Sequence, residues 1–181
     1  MRLLIASDLH GGANAVEKLM ERIKEFNPER IIILGDILYH GPRNDLPQGY
    51  APKKVIPLLN KKAGLVTAVR GNCDAEVDQM MLDFDCRADY LVIEADEHVM
   101  ALTHGHVFGP DKVPPVAGLN VLMSGHTHVK SLKRREDGLV LLNPGSTTIP
   151  KDGSASYATY EDGELRLHLL ETGEVLEELE I

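Results

Sequence analysis

Seven residues of metal-ligating type stand at the ends of apolar runs: Asp8 and His10 in "SDLHGG", Asp36 in "LGDILYHG", Asn72 in "VRGNCD", His104 in "LTHGH", and His126 and His128 in "GHTH". Two imidazoles two positions apart project to one side of an extended segment, and a turn can splay them. Such a pair alone is more often solvated or hydrogen-bonded than metallated. Here five of the eight histidines (His10, His104, His106, His126 and His128) fall in three short glycine-flanked motifs, and glycine lets the backbone turn sharply or approach closely. That concentration turns the reading to metal ligation. Carboxylates, an amide and imidazoles without a cysteine cluster suit Mn, Fe, Zn, Co or Ni better than calcium or a structural zinc. Seven ligands are too many for one open catalytic ion. They suggest two divalent ions about 4 Å apart sharing a bridging carboxylate, the geometry that activates water and clamps a phosphoryl group.

The elements that must position these groups change in kind along the chain. "MRLLIAS" and "RIIILG" read as buried strands. Between them "NAVEKLMERIKEF" reads as an amphipathic helix with Val16, Leu19, Met20 and Ile23 on one face. "PKKVIPLLNKKA" reads as a second helix with Pro52 near its start, followed by a strand in "LVTAVRG". This alternation implies parallel strands with right-handed crossovers, whose carboxyl ends are the expected place for a site. After about residue 88 come short strands: "YLVIEA", "HVMALTHG", "NVLMSG", "LVLLN", "SYATYE" and "ELRLHLL", with "EDGE" as a hairpin turn centred on Asp162 and Gly163. No linker separates the halves, so residues 1–181 are read as a single domain, one sandwich with helices outside.

Composition narrows the function classes. With 181 residues, 43% hydrophobic, the chain can bury a substantial core. "LLIAS" is too short for a membrane span or a signal-peptide core, which points to the cytoplasm and no membrane partner. Two irregularly placed cysteines, Cys73 and Cys86, fit a reducing compartment. A net charge of -9 argues against a long nucleic acid as partner. "KSLKRRED" is the concentrated basic stretch and reads as a solvated strand or turn. An anionic substrate stays compatible, because bound divalent ions reverse the local field.

The order Asp-x-His, Gly-Asp, Gly-Asn-x-Asp, His-Gly-His, Gly-His-Thr-His resembles the calcineurin-like metallophosphoesterases over nearly the whole chain. With "HGPRNDLPQGYAPKKV" and "GNCDAEVDQM" it looks closer still to the small bacterial YfcE-type phosphodiesterases. The resemblance implies an α/β fold, a four-layer α/β-β/α sandwich of two mixed sheets with a dinuclear site at one edge. It implies that Asp8, His10 and His128 hold one ion, that Asn72, His104 and His126 hold the other, and that Asp36 bridges them. Mn is the first choice of metal, with Ni, Zn, Fe and Co as alternatives. The implied reaction is hydrolysis of a small phosphodiester by in-line attack of a metal-bound hydroxide, with no covalent enzyme intermediate. The rivals are a phosphomonoesterase of the same fold and a non-catalytic interaction module like the retromer scaffold subunit. All seven ligand positions are of usable type, which favours an enzyme.

Several roles stay open at this level. Many members of the wider superfamily carry a histidine after the metal-binding asparagine, placed to protonate the leaving oxygen; this chain has Cys73, as the YfcE-type group does. Asp74 and His106 are the nearby alternatives, with Asp74 equally readable as orienting Asn72 or a turn. "NPGS" with Ser146 reads as a turn beneath the site rather than a nucleophile. The loop from His40 to Pro52 brings Arg43, which could meet a substrate phosphate, and lies between Tyr39 and Tyr50, which could either pack the loop on itself or join a homo-oligomer, a dimer or tetramer.

Overall fold

The computed structural model describes residues 1–181 and places eleven strands in two mixed sheets. The first half begins β1 (Leu3–Ala6), α1 (Ala13–Phe26), β2 (Arg30–Ile33), α2 (Pro52–Asn60), β3 (Val66–Ala68) and a short α3 (Glu76–Met81). The second continues β4 (Tyr90–Ala95), β5 (His98–Thr103), β6 (Leu119–Met123), β7 (Ser131–Arg134), β8 (Val140–Asn143), β9 (Ser156–Glu161), β10 (Glu164–Leu169) and β11 (Val175–Glu180). One sheet has the order β11-β10-β9-β1-β2-β3 and the other β4-β5-β6-β8-β7. Parallel pairing joins β1, β2 and β3 in the first and β5, β6 and β8 in the second.

"LLIA" and "III" are continuous apolar runs because both faces of the first sheet are covered. Leu3 and Ile5 face the second sheet, where they meet Met100, Leu102, Val121 and Val140. Leu4 and Ala6 face the helices, where Val16, Leu19 and Ile23 of α1 and Val55 and Leu59 of α2 close over them. The predicted apolar stripe of α1 is therefore the buried one, with Met20 at its margin. The outer face of the second sheet is covered near Ala101 and Leu122 by Val113 and Val116 from the β5–β6 connection. The α/β class and the pair of packed mixed sheets are as the resemblance implied, with the helices lying over the first sheet.

The hairpin is where "EDGE" predicts it: Asp162 and Gly163 both have positive φ, at 50° and 84°, as a two-residue turn between twisted strands requires. Two elements go beyond the sequence reading. These are α3 and β11; β3 shortens to Val66–Ala68, and the basic stretch, read as a solvated strand or turn, supplies β7. β7 is an edge strand with Leu132 turned in and Lys133 and Arg134 in solvent. β11 is an edge strand of the other sheet, lying beside β7, and is exposed along most of its length, so no burial pattern announces it.

Candidate metal centre

The carboxyl ends of five parallel strands meet at one edge of the sandwich. Asp8 and His10 follow β1, Asp36 follows β2, Asn72 follows β3, His104 follows β5, and His126 and His128 follow β6. Five of these seven (Asp8, His10, Asp36, His126 and His128) have φ between 44° and 70°. Left-handed backbone at non-glycine residues costs free energy and persists where the surroundings over-determine it, a common property of ligand-holding turns. Two glycines make the turns fit. A Cβ on Gly71 would lie 2.1 Å from Asp36 Oδ1, and one on Gly125 would lie 1.9 Å from Ser7 Oγ and 2.7 Å from Asp8 Oδ2.

Each buried acid has one oxygen tied back to the protein and one presented to the cluster. Asp8 Oδ2 accepts from Ser7 Oγ at 2.7 Å and from the His126 amide at 3.0 Å. Its Oδ1 is buried without a hydrogen-bond donor, 3.1 Å from His128 Nε2. Asp36 Oδ1 accepts from the Cys73 amide at 2.8 Å, which leaves Oδ2 between His10 Nε2 at 3.6 Å and His104 Nε2 at 3.5 Å.

The imidazoles are oriented in the same way. The Nδ1 atoms of His10, His104 and His128 lie 2.8, 2.7 and 2.9 Å from the carbonyls of Tyr39, Leu34 and Ile149. A carbonyl only accepts, so each Nδ1 carries the proton and, in the neutral ring, Nε2 is a lone pair aimed at the cluster. These carbonyls are the ring partners that metal-ligating histidines require. His10 and His128 then oppose their Nε2 atoms at 3.2 Å. His104 Nε2 sits 3.1 Å from Asn72 Oδ1 and 3.2 Å from His126 Nδ1.

Such a convergence of lone pairs and carboxylates repels itself unless positive charge enters it. Burial opposes protonating His104, yet the hydrogen bond to Asp36 and the field of Asp8 push it up to about 9. His10 is raised as well, its burial outweighed by Asp8 and by the Tyr39 carbonyl. Burial also opposes ionising Asp8, but His10 and His128 hold it well below the usual carboxylate range. The same demand is met by a cation in place of the protons. Ligand atoms of Asp8, His10 and His128, of Asp8, Asp36 and His104, and of His10, Asp36 and Cys73 each lie within 4.8 Å of one another. The donor set is oxygen and nitrogen throughout the seven positions, so these residues fit divalent transition ions.

The other sequence candidates separate by position. Asp74 turns to the backbone: Oδ2 accepts from the amides of Asp36 at 2.9 Å and Gly71 at 2.7 Å, and Oδ1 from Ile37 at 2.7 Å. It thus clamps the β2 and β3 loops together, while burial pushes its carboxyl up to about 6. Asp74→Ala leaves three amides without an acceptor, at about 1–3 kcal/mol for each group left unsatisfied. Denaturant unfolding of the metal-free protein should show a loss of at least about 2 kcal/mol, partly restored in Asp74→Asn; a loss below about 0.5 kcal/mol would refute the clamp.

His106 stands beside His104, with ring centroids 5.3 Å apart, and its buried Nδ1 has no partner. Burial, and then His104 and His126, lower its pKa. Cys73 is half-buried and lines a cleft of about 160 Å³ with Asp36, Asn72, His126, Arg43 and Lys151. Burial and the Asp36 carboxylate push its thiol up to about 12. Arg43 thus faces the cleft, and the loop packs on itself: the His40 ring lies 4.8 Å from Tyr39 and 5.1 Å from Tyr50. Ser146 is fully buried and donates to the Asp8 carbonyl at 2.8 Å, the predicted turn beneath the site. Lys151 is the cleft residue that sequence reading missed; it belongs to no periodic element, and its amide bond to the His128 carbonyl at 2.9 Å exists only in the fold.

Comparison with known proteins places the fold in a family. A profile of the calcineurin-like phosphoesterase superfamily domain matches residues 1–163. Phosphodiesterase YfcE of Escherichia coli (strain K12) is 42% identical over 182 aligned positions, covering 100% of this chain and 98% of that protein. The solved structure of that E. coli phosphoesterase superposes with a TM-score of 0.96 over 100% of both chains at 42% identity. Vacuolar protein sorting 29 from Cryptosporidium parvum shares the fold at a TM-score of 0.67 and 18% identity, covering 99% of this chain and 98% of that one. The profile match over residues 1–163, the 42% identity over the full chain and the shared fold make this chain a member of the calcineurin-like phosphoesterase superfamily.

Proposed function

We propose that the chain is a phosphodiesterase that works with two divalent ions, Asp8, His10 and His128 holding one, Asn72, His104 and His126 the other, and Asp36 Oδ2 shared between them. The observation that carries this reading is the placement of that one oxygen 3.6 and 3.5 Å from the Nε2 atoms of His10 and His104 while its twin is tied to the Cys73 amide. Two ions held there lower the pKa of water and neutralise charge on the phosphoryl oxygens. The choice of Mn, with Ni, Zn, Fe or Co as alternatives, rests on the donor set. The choice of a diester rests on the 42% identity to a protein named for that activity.

The chain's own groups perform the remaining work. Arg43 and Lys151 line the cleft beside Asn72 and His126, where a guanidinium and an ammonium meet a phosphodiester anion in a chain of net charge -9. The Asp74 clamp holds Asp36 and Asn72 in register, a positioning task. Of the candidates for meeting the departing oxygen, Cys73 lines the cleft, where burial raises its thiol pKa and makes it a reluctant proton donor. Hydrolysis then depends on how well the departing oxygen bears its charge. The Mn-loaded protein should hydrolyse bis(4-nitrophenyl) phosphate at least tenfold faster, in kcat/KM, than 4-nitrophenyl phosphate. A reversed ratio would assign the site to monoesters.

A further inference from the structure

Beside the polar cleft lies a second and larger cavity, about 510 Å³, whose walls come from three separate elements. Tyr39 and Tyr50 contribute from the loop between β2 and α2, Ile56 from α2, and Val77 and Met81 from α3. Tyr39 is 42%, Val77 59% and Met81 48% exposed, unusual for large apolar side chains grouped on one surface. Cys73 lines both this cavity and the cleft beneath Arg43, so the two spaces share a wall at the metal centre. Tyr39 couples them a second time, because its carbonyl accepts from His10 Nδ1 at 2.8 Å while its ring lines the apolar space.

The lining selects a ligand class. Two tyrosine rings and a methionine thioether favour a flat aromatic group through offset stacking and sulfur–ring contact over a compact alkyl group. The Asp78 carboxylate, which borders the cavity, is engaged by the Ala75 amide at 2.8 Å. A cavity of about 150 Å³ suffices for one benzene ring, so the available volume is ample. We propose that this cavity is a subsite for an aryl substituent of the phosphodiester, seated across Cys73 while the phosphoryl group occupies the cleft. The proposal rests on the reading of the chain as a phosphodiesterase.

The test holds the leaving group constant and varies the other substituent. Phenyl 4-nitrophenyl phosphate and methyl 4-nitrophenyl phosphate release the same 4-nitrophenolate, so a difference between them that a pocket variant removes belongs to the pocket. With Mn-loaded protein, kcat/KM should favour the phenyl ester at least tenfold. Tyr39→Ala, which keeps the carbonyl that holds His10, and Met81→Ala, on a different element, should each cut that preference at least threefold through KM. Two variants on separate elements guard against one that folds poorly. A preference unchanged in both variants would overturn the subsite while leaving the diesterase reading intact. Unchanged preference with an altered sedimentation coefficient would assign the patch to contact with a second copy of this chain. Failure to hydrolyse either ester with metal bound would remove the diesterase reading and the subsite with it.

Discussion

Asp36→Asn should lower diester turnover by about a thousandfold or more at metal concentrations that saturate the unaltered protein. The substitution is nearly isosteric. Its amide oxygen can still accept from the Cys73 amide, as Asp36 Oδ1 does at 2.8 Å, so the loop after β2 keeps its place. What changes is the other position. Where Oδ2 now presents lone pairs between His10 and His104, the variant would present N–H groups, which cannot ligate a cation, and both halves of the proposed centre lose a ligand together. Steady-state rates across a Mn titration, alongside thermal unfolding of the metal-free proteins, separate loss of the centre from loss of the fold. A rate within tenfold of the unaltered protein would show that Asp36 is not shared.

Gly71→Ala should reach the same centre through the backbone. The added Cβ would lie 2.1 Å from Asp36 Oδ1, 2.2 Å from Asp36 N and 2.9 Å from its Cγ, so the contact falls largely on main chain and on a carboxylate already fixed. Relief requires the β3 loop to move away from the β2 loop, carrying Asn72 with it. Displacing reacting groups by about 1 Å costs about a hundredfold in rate, and overpacking of this kind costs about 1–3 kcal/mol in stability. Gly64→Ala is the control: nothing lies within 4 Å of its added Cβ, and it should be indistinguishable from the parent. If Gly71→Ala binds Mn and turns over within threefold of the parent, the two loops are not held in the register described.

The site was far more legible in the sequence than its supports. Each proposed ligand ends an apolar strand, and that pattern survives in one dimension because strand, turn and ligand are contiguous. The carbonyls that fix the imidazoles are not: His104 depends on Leu34, seventy positions away in the chain, and His128 on Ile149. Asp74 could be read as acid or as clamp until its three amide partners were visible. Lys151 reaches the cleft through a loop without periodicity. In the fold, the strands that are buried on both faces were read from their composition, whereas β11 escaped because an edge strand that buries little leaves acidic and apolar residues in no compelling order. The α3 turn, six residues long, is too short for a helical period to show.

The number of ions bound per chain tests the account most directly. After chelation, reconstitution with excess Mn and removal of unbound metal, elemental analysis should give close to two Mn per chain, with diester hydrolysis absent from the chelated protein and restored as the ions return. Full activity in the metal-free protein, or full activity at a saturating content of one ion per chain, would contradict a shared Asp36 and the two-ion reading built on it.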